Sequence, residues 1–275
     1  MNYRQRIASS TVALALALGV PTAAQADTLR IDGSSGVRPL AAALAERFAE
    51  QKADLLVEIG EGMGTSRRLE ALAGGEIDIA TASHGVDEAD LKERGMALHP
   101  IARVAVVFGA HADAQVAQLS SEEVCSIYAG EVTNWSELGG ADLGIEPMTR
   151  PDSEVDAEVM REGVSCLADL TFADDVVTQE SSGQMARALA ETPGAIGMTT
   201  STRVEGSDGQ IVPITLDGVA PTVAAVQDGS YEFVRTAYLV TAEAPEKAEV
   251  EDFLAFVKSD AGGEVIEANG AIPIM

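Results

Sequence analysis

The sequence is poor in basic residues, histidine and cysteine. Its 18 lysines and arginines stand against 44 aspartates and glutamates, which gives a formal net charge of −26. Because such a chain repels nucleic acid and anionic membranes, we expect neither as a partner, and any electropositive feature must be local. The excess of acid is typical of a soluble protein and does not by itself identify a cationic ligand.

Histidine and cysteine are too few and too scattered to predict a metal site. His84, His99 and His111 have no H-x-x-x-H spacing, and no C-x-x-C pair occurs. We therefore predict neither a metal nor a cofactor.

Signatures of common enzyme classes are missing as well. The chain has no G-x-S-x-G elbow, no Walker loop and no H-E-x-x-H. Ser34, Ser35 and Ser83 could act as nucleophiles only if a base such as His84 joined them. We therefore predict that the protein is not an enzyme.

No apolar run reaches the roughly 20 residues that cross a bilayer. The run at residues 12–20 follows two arginines and precedes an A-x-A triplet that ends at Ala26. This pattern predicts a signal peptide over residues 1–26 and export to the periplasm. The mature chain would have 275 − 26 = 249 residues and, without the two signal arginines, a charge of 16 − 44 = −28.

The two cysteines, Cys125 and Cys166, belong to a chain that we expect in an oxidising compartment. They predict a disulfide that closes a loop of about 40 residues and contributes roughly 3–4 kcal/mol on the chain-entropy model. A catalytic or metal-binding thiol is the alternative.

Strand and helix patterns alternate along the chain. "TLRI", "LLVEI" and "IDIATA" predict strands, and "PLAAALAERFAEQ" and "SRRLEALAGG" predict the helices between them. This order predicts a parallel sheet covered by helices, with ligands beyond the carboxyl ends of the strands. A second region of the same kind occupies residues 110–229.

Two long β runs, residues 101–110 and 231–241, bracket that second region. We therefore predict an α/β protein of two lobes joined by two hinge strands, with a ligand cleft between the lobes. The first lobe is discontinuous, over 27–109 and 230–275, and the second lobe spans 110–229.

Three turns combine Gly, Ser or Thr with arginine just before a predicted helix. They are residues 33–39, 60–68 and 149–153. Helix starts expose unpaired N–H groups and a partial positive charge, so turns that converge on one cleft would bind an anion. Each turn alone also fits an ordinary N-cap. Arg38, Arg67 and Arg68 would lie near helix starts, and Arg150 is placed for a bidentate contact with an oxyanion.

Five segments, in order, resemble the periplasmic phosphate-binding proteins of ABC transporters. They are "GSSGVRPL", "GTSRRLEALAGGEIDIATAS", "IYAGEVTNWSELGG", "TRPDSEVD" and "ETPGAIGMT". The resemblance implies the type II periplasmic binding-protein fold, capture of a small oxyanion, phosphate above all, and delivery to a membrane permease by a monomer. It also implies that Trp135 is structural.

The resemblance carries particular residues over by position. The implied ligand contacts are Ser35, Gly36, Val37, Thr65, Ser66, Ser83, Arg150, Ser153 and Glu154. Possible additional contacts are Arg38, Arg67, His84 and Asp156.

Departures from the family pattern leave the ligand open. Gly36 stands where the family has Thr, and Glu154 and Asp156 replace two hydroxyl residues. Carboxylates that face the ligand would favour an oxyanion with an O–H, such as monohydrogen phosphate or arsenate, over sulfate. If the turn points away, Arg150 and the first-lobe turns hold the ligand. A pocket for another solute, a sensor for a membrane kinase and a hydrolase in the same cleft are the remaining alternatives.

Overall fold

The structure is a computed structural model that describes residues 27–52 and 54–274. The predicted signal peptide lies outside the described residues. The strands are β1 (Asp27–Gly33), β2 (Leu55–Ile59), β3 (Ile79–Ala82), β4 (Met96–His111), β5 (Gln118–Leu119), β6 (Glu146–Thr149), β7 (Val177–Thr178), β8 (Ala195–Thr200), β9 (Ile211–Pro213), β10 (Thr215–Leu216), β11 (Val234–Ala242) and β12 (Ala271–Pro273). The helices are α1 (Arg38–Ala49), α2 (Thr65–Ala73), α3 (Glu88–Glu93), α4 (Ser121–Tyr128), α5 (Val155–Gly163), α6 (Ser165–Ala168), α7 (Ser182–Glu191), α8 (Ser201–Glu205), α9 (Val223–Asp228), α10 (Ala248–Val257) and α11 (Asp260–Ala268).

The first sheet has the strand order β2-β1-β3-β11-β4. Strands β1, β2 and β3 are parallel, as predicted, and Ile31 of β1 pairs with Ile59 and Ile79 on its two sides. Strand β11 is antiparallel to both of its neighbours, so the sheet is mixed rather than wholly parallel. We call this sheet and its helices the first lobe.

The second sheet shares β4 with the first. Residues 106–110 of β4 pair with β8, which is parallel to β6, and β6 is parallel to β7. We call this sheet and its helices the second lobe. A second connection precedes β11, where the Val106 amide donates to the Phe233 carbonyl (2.8 Å) and the Tyr231 hydroxyl to the Val106 carbonyl (2.7 Å).

Each lobe has its own core. The first is built on Leu29, Ile31 and Phe48, against which Phe253 packs edge-on. The second includes Trp135, whose Nε1 donates to the Gly194 carbonyl at 2.9 Å, so its role is structural as expected. None of the helices within the described residues is both long and apolar enough to cross a bilayer.

The predicted disulfide is confirmed. Cys125 on α4 is bonded to Cys166 on α6, so the bond lies entirely within the second lobe.

The strand ends place the three predicted turns together. Strands β1, β2 and β6 finish at Gly33, Ile59 and Thr149, and helices α1, α2 and α5 begin within a few residues of these three ends. Pro39 lies in the first turn of α1, and Leu40, Leu44 and Phe48 recur on its buried face. The helix starts therefore meet where the two lobes face each other.

Candidate functional site

A cleft of about 320 Å³ lies between the two lobes. Its walls combine hydroxyls, glycines and three ionisable types of side chain. The lining residues are Ser34, Ser35, Glu61, Gly62, Met63, Gly64, Arg68, His84, Arg150, Glu154, Glu180 and Ser181.

The turn before α1 forms the first wall. The Ser34 carbonyl accepts hydrogen bonds from the amides of Val37 and Arg38, each at 3.1 Å. Within the described ranges, the amides of Ser35 and Gly36 donate to no other group. Ser35 lines the cleft, so its amide is available to an anion there, whereas Gly36 is buried next to it and is not part of the lining. Val37 was predicted to contact the ligand, but its amide donates to the Ser34 carbonyl and its side chain lies in the core.

The turn before α2 adds a buried cation to the same wall. Arg68 is 1% exposed and donates from Nη1 to the Thr81 carbonyl at 3.0 Å, and burial lowers the pKa of its guanidinium. Arg67 points outward instead and forms an ion pair with Glu76. The buried residues of α2 at positions 68, 69, 71 and 72 are centred on the face that Arg68 shares with Leu72, and Arg67 lies at the edge of that face.

Ser66, a predicted contact from this turn, does not line the cleft. Ser66 is exposed on α2. Thr65 begins the helix, and its side chain lies outside the described part of the chain. Arg38 lies in an adjoining cavity.

The end of β3 contributes Ser83 and His84. Ser83 is buried, with its Oγ 3.3 Å from the Ser34 Oγ and 3.5 Å from the His84 Nδ1, so it supports the wall from behind. His84 lines the cleft. Burial lowers the pKa of His84, opposed by Glu154 and reinforced by Arg68 and Arg235, so the ring is neutral at pH 7.

The second lobe supplies Arg150, which is 2% exposed. Its Nη2 donates to the Glu154 Oε2 at 2.7 Å, while its Nε and Nη1 find no partner among the residues described. Arg150 and Glu154 thus line the cleft as the resemblance implies. Ser153 is exposed and lies outside the cleft.

A buried ion pair joins the two lobes behind the cleft. Asp156, at 1% exposure, accepts from Arg235 Nη1 at 2.9 Å and from the Ser182 hydroxyl at 3.2 Å. Arg235 Nη1 also lies 3.5 Å from the Ser83 Oγ. Glu154 and Asp156, the two carboxylates that replace hydroxyl residues of the family pattern, therefore both point inward. Glu154 pairs with Arg150 and Asp156 pairs with Arg235.

Arg235 explains why residue 36 is glycine. A Cβ at Gly36 would lie 2.3 Å from Arg235 Nη2, so a threonine there would require the guanidinium to move from the position in which it pairs with Asp156. The sequence reasoning did not single out Arg235. A signal was present, because residues 235, 237 and 239 share one face of β11, and Ala237 and Leu239 are buried.

The arrangement can bind an anion and lacks the ligands for a metal. Three buried arginines, Arg68, Arg150 and Arg235, lie with two inward-pointing carboxylates, Glu154 and Asp156. The other two carboxylates of the lining, Glu61 and Glu180, are exposed to solvent, so positive charge is in excess only among the inward-pointing groups. Among residues 27–52 and 54–274, no three His, Cys, Asp or Glu side chains are grouped as metal ligands.

Two α/β lobes that share β4 and enclose such a cleft define the type II periplasmic binding-protein fold. A family model described as the PBP superfamily domain matches residues 19–261. The chain therefore belongs to the PBP superfamily.

Individual relatives agree with the five-segment resemblance. Phosphate-binding protein PstS of Bacillus subtilis (strain 168) is 29% identical over 250 residues, which is 90% of this chain and 81% of that protein. A Clostridium perfringens protein, described as a phosphate ABC transporter substrate-binding protein and solved with bound phosphate, is 25% identical with a TM-score of 0.72, covering 90% of this chain and 100% of that one. An ABC-type phosphate transport receptor from Vibrio cholerae, 22% identical with a TM-score of 0.58 and covering 90% and 99%, shares the fold. The predicted family likeness is confirmed.

Proposed function

We propose that this chain is an exported binding protein that captures phosphate between its lobes and delivers it to an ABC transporter. The observation that carries the proposal is Arg150, a guanidinium 2% exposed in the cleft whose Nε and Nη1 have no partner in the described residues. A buried charge with open donors is costly unless an anion satisfies them. The relatives whose names or descriptions specify phosphate support this ligand.

In this proposal the two walls hold the ligand together. The second lobe offers two charge-assisted donors from Arg150, and the first offers the Ser35 amide at the start of α1. The Ser34 and Ser35 hydroxyls and neutral His84 complete the set of polar contacts. The first lobe (27–109 and 230–275) and the second lobe (110–229) then close about the shared strand β4, which excludes water from the cleft.

Glu154 supplies the proposed selectivity for phosphate over sulfate. Monohydrogen phosphate carries an O–H that a carboxylate can accept, whereas sulfate near neutral pH carries none and is repelled. Glu154 Oε2 accepts from Arg150, which leaves Oε1 as the acceptor for the ligand. Asp156 is committed to Arg235 and Ser182, so we assign it a structural role.

We propose that the protein binds its ligand without catalysing a reaction, and the contacts of Ser83 support this. A hydrolase needs a serine hydroxyl within hydrogen-bond reach of its base, and the 3.5 Å between Ser83 Oγ and His84 Nδ1 exceeds the usual O–H···N distance. Ser83 is also buried behind the wall.

We infer further that residues 1–26 direct export to the periplasm and are then removed, and that the mature monomer docks on a membrane permease. Genes for a permease and an ATPase beside this gene would support uptake. A histidine kinase gene in their place would favour sensing.

Calorimetry on protein freed of retained ligand tests the proposed ligand. Phosphate, arsenate, sulfate and molybdate are titrated at neutral pH, and we expect phosphate and arsenate to bind with one site per chain and sulfate to bind more weakly. Absence of binding by every oxyanion would refute the proposal, and preference for sulfate or molybdate would assign the cleft to another oxyanion.

A further inference from the structure

A second cavity of about 460 Å³ adjoins the cleft. The two share Ser35, Glu61 and Ser181 in their walls, so one opens into the other. A five-atom oxyanion needs roughly 150 Å³ if each heavy atom takes about the 30 Å³ of a water molecule. The cleft alone already exceeds that volume, and the second cavity adds space that one phosphate does not use.

The lining of the second cavity has more basic than acidic side chains, whereas the whole chain has more acidic than basic ones. Arg38, Arg187 and Arg203 line the cavity with a single carboxylate, that of Glu61. The whole chain has 44 acidic and 18 basic residues, so three arginines against one acid is a local reversal. Glu61 offsets little of this charge, because its side chain is 95% exposed and its oxygen lies 3.7 Å from Arg38 Nη2.

Arg203 carries a positive charge that the surrounding protein groups compensate poorly. It lies in the middle of the short helix α8, and its Nη2 donates to the Ser35 carbonyl across the interlobe boundary. Its Nε is buried and meets no partner within the described residues. Burial, together with the charges of Arg235, Arg38 and Arg150, lowers the pKa of Arg203 to about 10. A cation surrounded by cations is stabilised by a bound anion.

We propose that this second cavity is a phosphoryl subsite, formed by Arg203, Arg187 and Arg38, which binds a second phosphate group next to the one in the cleft. The ligand class is a condensed phosphate, with diphosphate as its smallest member. The continuity of the two cavities through Ser35 and Ser181 lets one ligand span both. This inference rests on the proposed function, because the first phosphoryl group occupies the phosphate cleft.

Calorimetry with phosphate and with diphosphate tests the proposal on the full mature chain. We expect one diphosphate per chain, bound about tenfold more tightly than phosphate, because charge-assisted contacts are worth about 1.4 kcal/mol or more. Arg187→Gln should lower diphosphate affinity roughly tenfold and leave phosphate affinity within about threefold. Arg203→Gln should lower diphosphate affinity at least as much, but it also removes the contact to the Ser35 carbonyl, so only Arg187→Gln is expected to preserve phosphate affinity. Arg187 is exposed, so its variant keeps the fold intact.

Arg67→Gln is the matched control, since Arg67 is an exposed arginine outside both cavities. It removes the same charge and should change neither affinity. Two phosphate ions per chain, with the weaker one lost in Arg187→Gln, would also support the subsite and make its occupant a separate ion. Diphosphate binding weaker than phosphate, or unchanged in both variants, would overturn the subsite alone. Failure of phosphate itself to bind would overturn the proposed function as well.

Discussion

The first-lobe and second-lobe walls of the cleft differ in how their charges are balanced. The first wall presents hydroxyls, an open amide at the start of α1 and Arg68, and its nearest carboxylate, Glu61, points to solvent. The second wall presents Arg150 already paired with Glu154, and behind it Asp156 is paired with Arg235. The first wall faces the ligand with neutral and cationic groups, whereas the second wall adds an inward-pointing carboxylate, which only accepts hydrogen bonds.

The difference separates affinity from selectivity. Amides and hydroxyls can donate to any oxyanion of suitable size, so the first wall is expected to set little preference between phosphate and sulfate. A carboxylate repels an oxyanion that has no proton to donate, so selectivity is expected to reside in the second wall. The following experiments challenge that division, from the largest expected effect to the smallest.

Asp156→Asn tests whether the pair behind the second wall holds the lobes together. The change leaves Arg235 buried without its anionic partner, so we expect the free energy of unfolding to fall by about 3–5 kcal/mol. Urea denaturation measures it. Asp152→Asn is the control, because Asp152 is exposed and its surface pair with Arg161 should be worth less than about 1 kcal/mol. Equal losses in the two variants would show that the buried pair has no special role.

Arg150→Ala tests the second wall's share of affinity. Removing one partner of a desolvated charge pair costs about 2–5 kcal/mol, so phosphate binding should weaken at least about thirtyfold. Calorimetry beside Arg67→Ala, a surface control, gives the comparison. Unchanged binding would mean that the first wall holds the ligand alone.

Glu154→Gln tests selectivity directly. The amide keeps the shape but removes the negative charge, so sulfate should gain about tenfold relative to phosphate. Competition titrations give the ratio, and Glu158→Gln, an exposed site on α5, controls for net charge. A ratio that stays constant would move the origin of selectivity to another residue.

Acidification tests the first lobe. Burial lowers the pKa of His84 and of His99 from the usual 6.5. Because the folded-state pKa lies below the unfolded one, the unfolded chain binds more protons as the pH falls through 6.5, and stability present above that pH is lost below it. Both rings are partly exposed, so we expect a loss of at most about 1 kcal/mol by about pH 5.5. Urea midpoints across this range should flatten in a His84→Gln, His99→Gln double variant, and a slope that persists would point to another group.

Local patterns predicted much of the fold. The alternation of apolar runs with helical periods predicted α1, α2 and most strands, because a buried strand or helix face produces a hydrophobic periodicity that is visible within about ten residues. The same patterns could not place β11 between β3 and β4, since its pairing with β4 joins residues at least 129 positions apart. Helix α11 was not predicted, because Gly262 and Gly263 disfavour a helix in isolation. The structure requires glycine there, as a Cβ at Gly262 would lie 2.3 Å from the Phe256 carbonyl.

The site was predictable as a set of turns and much less so as a set of side-chain directions. Arg150, Glu154, Ser35 and His84 line the cleft, since a turn at the end of a parallel strand has only one edge to face. The choice between Arg67 and Arg68 needed the phase of α2, and the importance of Arg235 needed the partner Asp156 from the other lobe. The alternation of β11 indicates that Arg235 is buried, but no local pattern identifies its partner in the other lobe.

The position of β11 also sets an order of folding. The second lobe's strands β6, β7 and β8 pair within a continuous stretch of chain, but the first sheet cannot close until β11 inserts between two strands made far earlier. A chain that emerges N-terminus first therefore holds β3 and β4 with unpaired edges while the second lobe assembles. The first lobe, although it starts the chain, is completed last.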